Sequence, residues 1–291
     1  VSTIDEIRNA LSGDAKEIRL DNDLTPDKAL VVNRDVTIDL NNHKIEGVVN
    51  SVFSVSGATL TLTGDGRVTN TKVVGVARNG GTIKIEGGIY TSTTSEGFQA
   101  SRGGTVIFDN GEIHSREGAL TAATGGGTIE MNGGTIITED NFGIATNGTS
   151  GRGGNTITMN GGIIRANIVT TGYEAIGVYI ANSDTFVMNG GEIYANGGTG
   201  LCMRGGNVTI NNGSITATAG TDGMIADDRR VMTGTSAVIY DEAANYPGNA
   251  GMSLTINGGV ITGVDHSIQI LSNEETPNVT VTGGTLVPSY P

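Results

Sequence analysis

The sequence predicts an all-β fold: a single-stranded right-handed parallel β-helix of about eleven rungs, three short strands per rung, with an N-terminal helical cap. Three observations predict it. First, one phrase (a β-branched stub, a turn ending in Gly, a second apolar stub) recurs nine times, its second turn glycine at Gly66, Gly88, Gly111, Gly134, Gly162, Gly191, Gly213, Gly259 and Gly284. The intervals are 22, 23, 23, 28, 29, 22, 46 and 25, so the basic period is 22–23 and the 46 reads as two periods. A period of that size marks a stacked array. Second, the stubs alternate, as in Thr156-Ile157-Thr158-Met159, which is the pattern of a half-buried strand. Third, a further stub follows each pair, such as Gly97-Phe98-Gln99-Ala100 and Gly200-Leu201-Cys202-Met203. Three stubs and three turns fill one rung.

Residues 1–16 form the expected cap, because Ile4, Ile7 and Leu11 share a helical face, with Thr3 as N-cap and Glu6 three residues later. A helix across the first rung covers the core and blunts an open edge. Rungs fill 17–287, beginning with the strand-like segments 17–20 and 36–40, and a Pro-containing tail, 288–291, ends pairing. Inward columns are expected at Ile85, Phe108, Met131, Met159, Met188, Ile210, Ile256 and Val281 on the first strand. On the second they are Val68, Tyr90, Ile113, Ile136, Ile164, Ile193, Ile215, Ile261 and Leu286. Stacked at about 4.8 Å, the rungs make a rod about 50 Å long. The turn residues Asn132, Asn160, Asn189, Asn211 and Asn257 are expected to align as a structural ladder of amides.

Two rival folds use similar ingredients. Leucine-rich repeats need a leucine-dominated consensus, and leucine is scarce here. A hairpin reading places Asn-Gly between antiparallel strands and leaves the third stub without a partner. No linker interrupts the period, so residues 1–291 read as one domain.

The formal charge of −13 disfavours nucleic acid and anionic membranes as partners. No apolar run reaches membrane-spanning length, and no signal peptide is visible. One cysteine excludes an internal disulfide framework. His43, His114 and His266 lie in different rungs, without a second ligand at metal-binding spacing, and the glycine-rich turns precede no helix, so neither a metal nor a cofactor is expected.

Binding on such a scaffold is expected in the irregular turns. These are 147–155, 167–174 and the 46-residue interval, whose Asp227, Asp228, Arg229, Tyr240, Asp241, Glu242 and Tyr246 form a candidate ligand-binding loop. Its carboxylates have the chemistry of a glycosidase pair or a calcium site. Against that stand the opposite faces of Asp227 and Asp228 on a strand and the absence of Trp, and the plainer reading is a solvated loop. A second candidate is the outward column of the third strand, read as Ala77, Gln99, Thr121, Ala145, Gly177, Cys202, Ile225 and Gln269. This small, nearly neutral strip suits packing against another chain; the plainer reading is a strip covered by a loop of the same chain or a merely small-residue face.

The repeated x-Met-Asn-Gly-Gly-x-Ile phrase with its helical cap resembles right-handed parallel β-helix proteins of the pectate-lyase-like superfamily, over nearly the whole chain. That fold hosts lyases, hydrolases, tailspikes and adhesins, so the resemblance carries the fold and leaves the function open. Galacturonase-type members use Asn-Thr-Asp, Asp-Asp and Gly-His-Gly segments. Here only Asp227-Asp228 matches, and no catalytic residue is carried over. The regular Asn-Gly-Gly turns look most like phage appendage and adhesin-like repeat proteins. The resemblance implies a non-enzymatic virion surface protein (a fibre, decoration or receptor-binding component), homo-oligomeric or bound to other virion proteins, with a cell-surface glycan as a further partner. A secreted or cell-surface bacterial adhesin or carbohydrate-binding β-helix is the first alternative. A polysaccharide lyase or hydrolase using Asp227, Asp228, Asp241 or Glu242 is the second.

Overall fold

The structure, a computed structural model, describes residues 1–167, 169, 175–218, 236–242, 246–272 and 274–288. Strands that alternate apolar and polar residues stack in parallel, each on its equivalent one rung away. Thr105–Phe108, for instance, lies between Thr82–Ile85 and Thr128–Met131 in strict register. The result is three parallel sheets: a first of eleven strands, from Glu17–Arg19 to Val279–Val281, and a second and third of ten each. The second sheet runs from Lys44–Gly47 to Thr285–Pro288 and the third from Leu30–Val32 to His266–Leu271. This is a parallel β-helix with three strands per rung.

The corner between the first two sheets depends on glycine for two reasons at once. Gly162 has φ 86°, and a Cβ there would sit 2.5 Å from Met131 Cε. Both the left-handed backbone and the missing side chain are needed where rungs approach so closely.

The two expected inward columns pair residue for residue, Phe108 on Met131 and Tyr90 on Ile113, and are buried along the rod. They reach solvent only in the last rung, where Val281 is 47% and Leu286 41% exposed.

The cap is a helix over Ile4–Ser12, shorter than the 16 residues of the capping region. Thr3 Oγ1 accepts from the Glu6 amide at 3.2 Å, and the Glu6 carboxylate accepts from the Ser2 amide at 2.6 Å. Ile7 and Leu11 are buried on the core. The helix lacks a basic residue in its last turn, and Arg34 supplies one from outside, donating to the carbonyls of Leu11 and Ala15 at 3.0 and 2.5 Å and to that of Ala10.

Two expectations need correction. The 46-residue interval holds one rung. Asn207–Ile210 pairs directly with Ser253–Ile256, and Ser214–Thr218 directly with Val260–Gly263, so no rung lies between them. Residue arithmetic cannot distinguish an added rung from excursions of the same length. The third-sheet register also differs. Gly75 pairs with Phe98 and lies where that ring points inward, a Cβ there meeting it at 2.8 Å. Val76 therefore takes the outward place expected for Ala77, which faces the bore opposite Ala100.

Candidate functional site

The outer face of the first sheet carries the most distinctive surface. In its last five rungs the outward residues read Thr156-x-Thr158-x-Asn160, Thr185-x-Val187-x-Asn189, Asn207-x-Thr209-x-Asn211, Ser253-x-Thr255-x-Asn257 and Thr280-x-Thr282. None is charged, although the protein carries −13. All are exposed or half-buried. The columns repeat about every 4.8 Å along the rod and about 6.8 Å across it. Towards the N-terminus the same face becomes charged at Glu130, and then at Asp109 and Lys84, which pair at 3.2 Å.

One edge of this face is a continuous ladder. Asn160 Nδ2 donates to Asn132 Oδ1 at 2.8 Å, Asn189 to Asn160 at 2.8 Å, Asn211 to Asn189 at 2.9 Å and Asn257 to Asn211 at 2.9 Å. Asn132 donates onward to Asp109, and Thr282 donates to Asn257, both at 2.8 Å. Each amide thus has a fixed orientation, and the face is a rigid array of hydroxyl, amide and methyl groups. Its signal in the sequence was the missing charge at alternate positions from 156 onward, which a search for irregular turns passes over.

The third-sheet strip is differently placed. Its true outward column runs Ser54, Val76, Gln99, Thr121, Ala145, Tyr179, Cys202, Ile239 and Gln269. Tyr179 stands where Gly177 was expected. Gly177 turns inward, where a Cβ would lie 2.3 Å from Ile193 Cγ2. Ile239 occupies the place expected for Ile225, which lies outside the described residues. From Ala145 to Ile239 the column is already buried within one chain. With Ile176 and Ala181 it forms a second hydrophobic cluster outside the bore, against which Phe142, Tyr246 and Leu271 pack.

The candidate loop residues separate. Asp227, Asp228 and Arg229 lie outside the described residues. Tyr240 and Asp241 belong to the strand Ser236–Asp241 and are fully buried, so they are not part of a solvated loop. Tyr240 points into the bore and donates to the Met252 carbonyl at 3.2 Å, and burial pushes its pKa up. Asp241 faces the other way and accepts from Arg204 Nε at 3.1 Å, both side chains at or below 2% exposure. The Tyr246 ring lies 5.4 Å from the Arg204 guanidinium and packs against the cluster that contains Tyr179. Burial opposes the Arg204 charge, but Cys202, Tyr179 and Asp241 outweigh it and raise its pKa. Glu242 is half-buried and accepts from the Ser272 hydroxyl at 2.5 Å. This is a clamp that fastens 246–249 to the third sheet: a Cβ on Gly148 would meet the Tyr246 ring at 2.4 Å, and Asn249 Nδ2 donates to the Glu242 carbonyl at 2.6 Å.

Sequence reasoning also missed a buried carboxyl. Asn155 and Asp184 stand immediately before first-sheet strands, where the corresponding rungs have Gly104, Gly127 and Gly206. Asp184 Oδ1 accepts from the Asn155 amide and from Asn155 Nδ2, both at 2.8 Å, while Oδ2 makes no hydrogen bond among the described residues. Burial raises its pKa. Its sequence signal is a polar residue in a column of glycines.

The histidines keep apart, His43 beside Asp23 at 3.3 Å and His114 beside Glu112. Among the described residues no three His, Cys, Asp or Glu side chains come together to hold a metal. Among the described residues no helix is long and apolar enough to cross a membrane. No protein-family profile, curated protein or solved structure matches this chain.

Proposed function

We propose that this protein is a non-enzymatic structural and adhesion rod of a virion surface, and that it grips an uncharged glycan surface with the C-terminal part of its first-sheet face. The single observation that supports the reading is the uncharged lattice from Thr156 to Thr282 on a strongly acidic chain. Five rungs without a charge allow a neutral, hydroxyl-rich surface to approach without stripping water from ions. The fixed amides reduce the ordering cost of contact, since their rotamers are already set. The acidic remainder repels nucleic acid and anionic lipid. The virion setting rests on the likeness of the repeats to phage appendage proteins, and a secreted or cell-surface bacterial adhesin would use the same face. Assembly with a second copy or with other virion proteins belongs to this reading. Its seat is not the stretch from Ala145 to Ile239, which is already covered.

The test is retention of the purified protein on insoluble neutral polysaccharides, with anionic ones alongside, while soluble sugar is assayed. Retention on a neutral polysaccharide, insensitive to salt and without released sugar, is expected, because an uncharged contact has little for salt to screen. Failure to bind any neutral surface, or steady release of sugar, would refute the proposal.

A further inference from the structure

We infer that the asparagine ladder is a chemical shield: it protects the Asn–Gly bonds within it from deamidation and leaves Asn110 and Asn212 as sites where the rod ages. An Asn–Gly bond is chemically fragile. The glycine nitrogen, once deprotonated, attacks Asn Cγ. A C–N bond forms, the side-chain nitrogen leaves as ammonia after taking a proton from water, and a succinimide ring remains. Water then opens either ring C–N bond to give Asp or isoAsp. The net change is one water consumed and one ammonia released, with no redox step.

Four of the five ladder residues, Asn132, Asn160, Asn189 and Asn257, precede glycine and are exposed, so sequence and solvent access alone make them vulnerable. The ladder removes the attacking geometry. Asn160 donates to Asn132 and accepts from Asn189, each at 2.8 Å, which holds its side chain along the rod axis. At two of the four sites the attacking nitrogen is engaged as well: Gly133 N donates to the Phe108 carbonyl at 3.2 Å and Gly161 N to that of Met131 at 3.3 Å. Cyclisation must first break side-chain hydrogen bonds at all four sites, and a backbone one as well at Asn132 and Asn160.

Asn110 and Asn212 sit one residue further along. In Asp109-Asn110-Gly111 and Asn211-Asn212-Gly213 the first residue fills the ladder position and the second takes the slot of the first turn glycine. Both are exposed, and neither side-chain amide makes a hydrogen bond among the described residues. Each is followed by glycine and is free to rotate onto it. Deamidation there adds a negative charge and, as isoAsp, an extra backbone methylene within the turn stack.

The experiment incubates the folded protein at mildly alkaline pH and follows each Asn–Gly site by peptide mass spectrometry, with a denatured sample as reference. Asn110 and Asn212 are expected to deamidate roughly tenfold or more faster than Asn132, Asn160 and Asn189 in the folded chain, from the loss of two amide hydrogen bonds needed at the ladder sites. In denaturant the sites should converge. Asn189→Ala, which removes the donor to Asn160, should speed Asn160 several-fold and leave Asn110 unchanged. Equal rates in the folded protein, or an Asn160 rate indifferent to Asn189→Ala, would overturn the inference. The wild-type comparison decides the matter even where the variant fails to fold.

Discussion

Asp184 is the residue that most conflicts with its surroundings. Burial raises its pKa above the ordinary carboxylate value of 3.8. The folded state therefore holds the proton more tightly than the unfolded chain does. Stability is highest below the ordinary value, falls as pH rises towards the raised folded value, and is level above it. Asp184→Asn should accordingly raise the thermal midpoint at neutral pH and flatten the pH dependence below it, since the amide oxygen can still accept from Asn155. A lower midpoint at neutral pH would show that the charge is compensated in a way the hydrogen bonds do not reveal. Arg204 and Asp241 pose the opposite case, a buried pair in which each partner compensates the other. Removing one side, as in Asp241→Asn, should cost about 3–5 kcal/mol in denaturant melts, whereas replacing both with apolar residues should recover most of that loss.

At the scale of the element, the rungs were legible because β-branched alternation and the turn glycines both repeat, and each inward column is a list of equivalent residues. The cap was legible from Thr3, Glu6 and the spacing of Ile7 and Leu11. Its C-terminal partner Arg34 was not, because its contacts to Leu11 and Ala10 span 23 and 24 residues of sequence. The third strand was the hardest to read. Its stubs combine Gly with small residues, and at Gly75 the backbone glycine itself occupies the inward slot. Its outer column looked exposed because alternation identifies the face and says nothing of what covers it. The covering contact at Tyr246 depends on the bare Gly148. Gly148→Val should displace that ring and release 246–249, with faster amide exchange there and little change in the first sheet. Unaltered exchange would mean that the clamp is held elsewhere.

For the whole molecule, the central claim is that a charge-free lattice on one face of an acidic rod is the adhesive surface. The direct measurement compares binding to the neutral polysaccharide that retains the wild type. The comparison is between Thr209→Glu/Thr255→Glu, which places charge in the lattice, and Thr216→Glu, which places it on the outer face of the second sheet. Two buried charges at the contact should weaken binding by about tenfold or more, and the second-sheet variant should bind as the wild type does. Equal binding by all three proteins, or a loss confined to Thr216→Glu, would contradict the account.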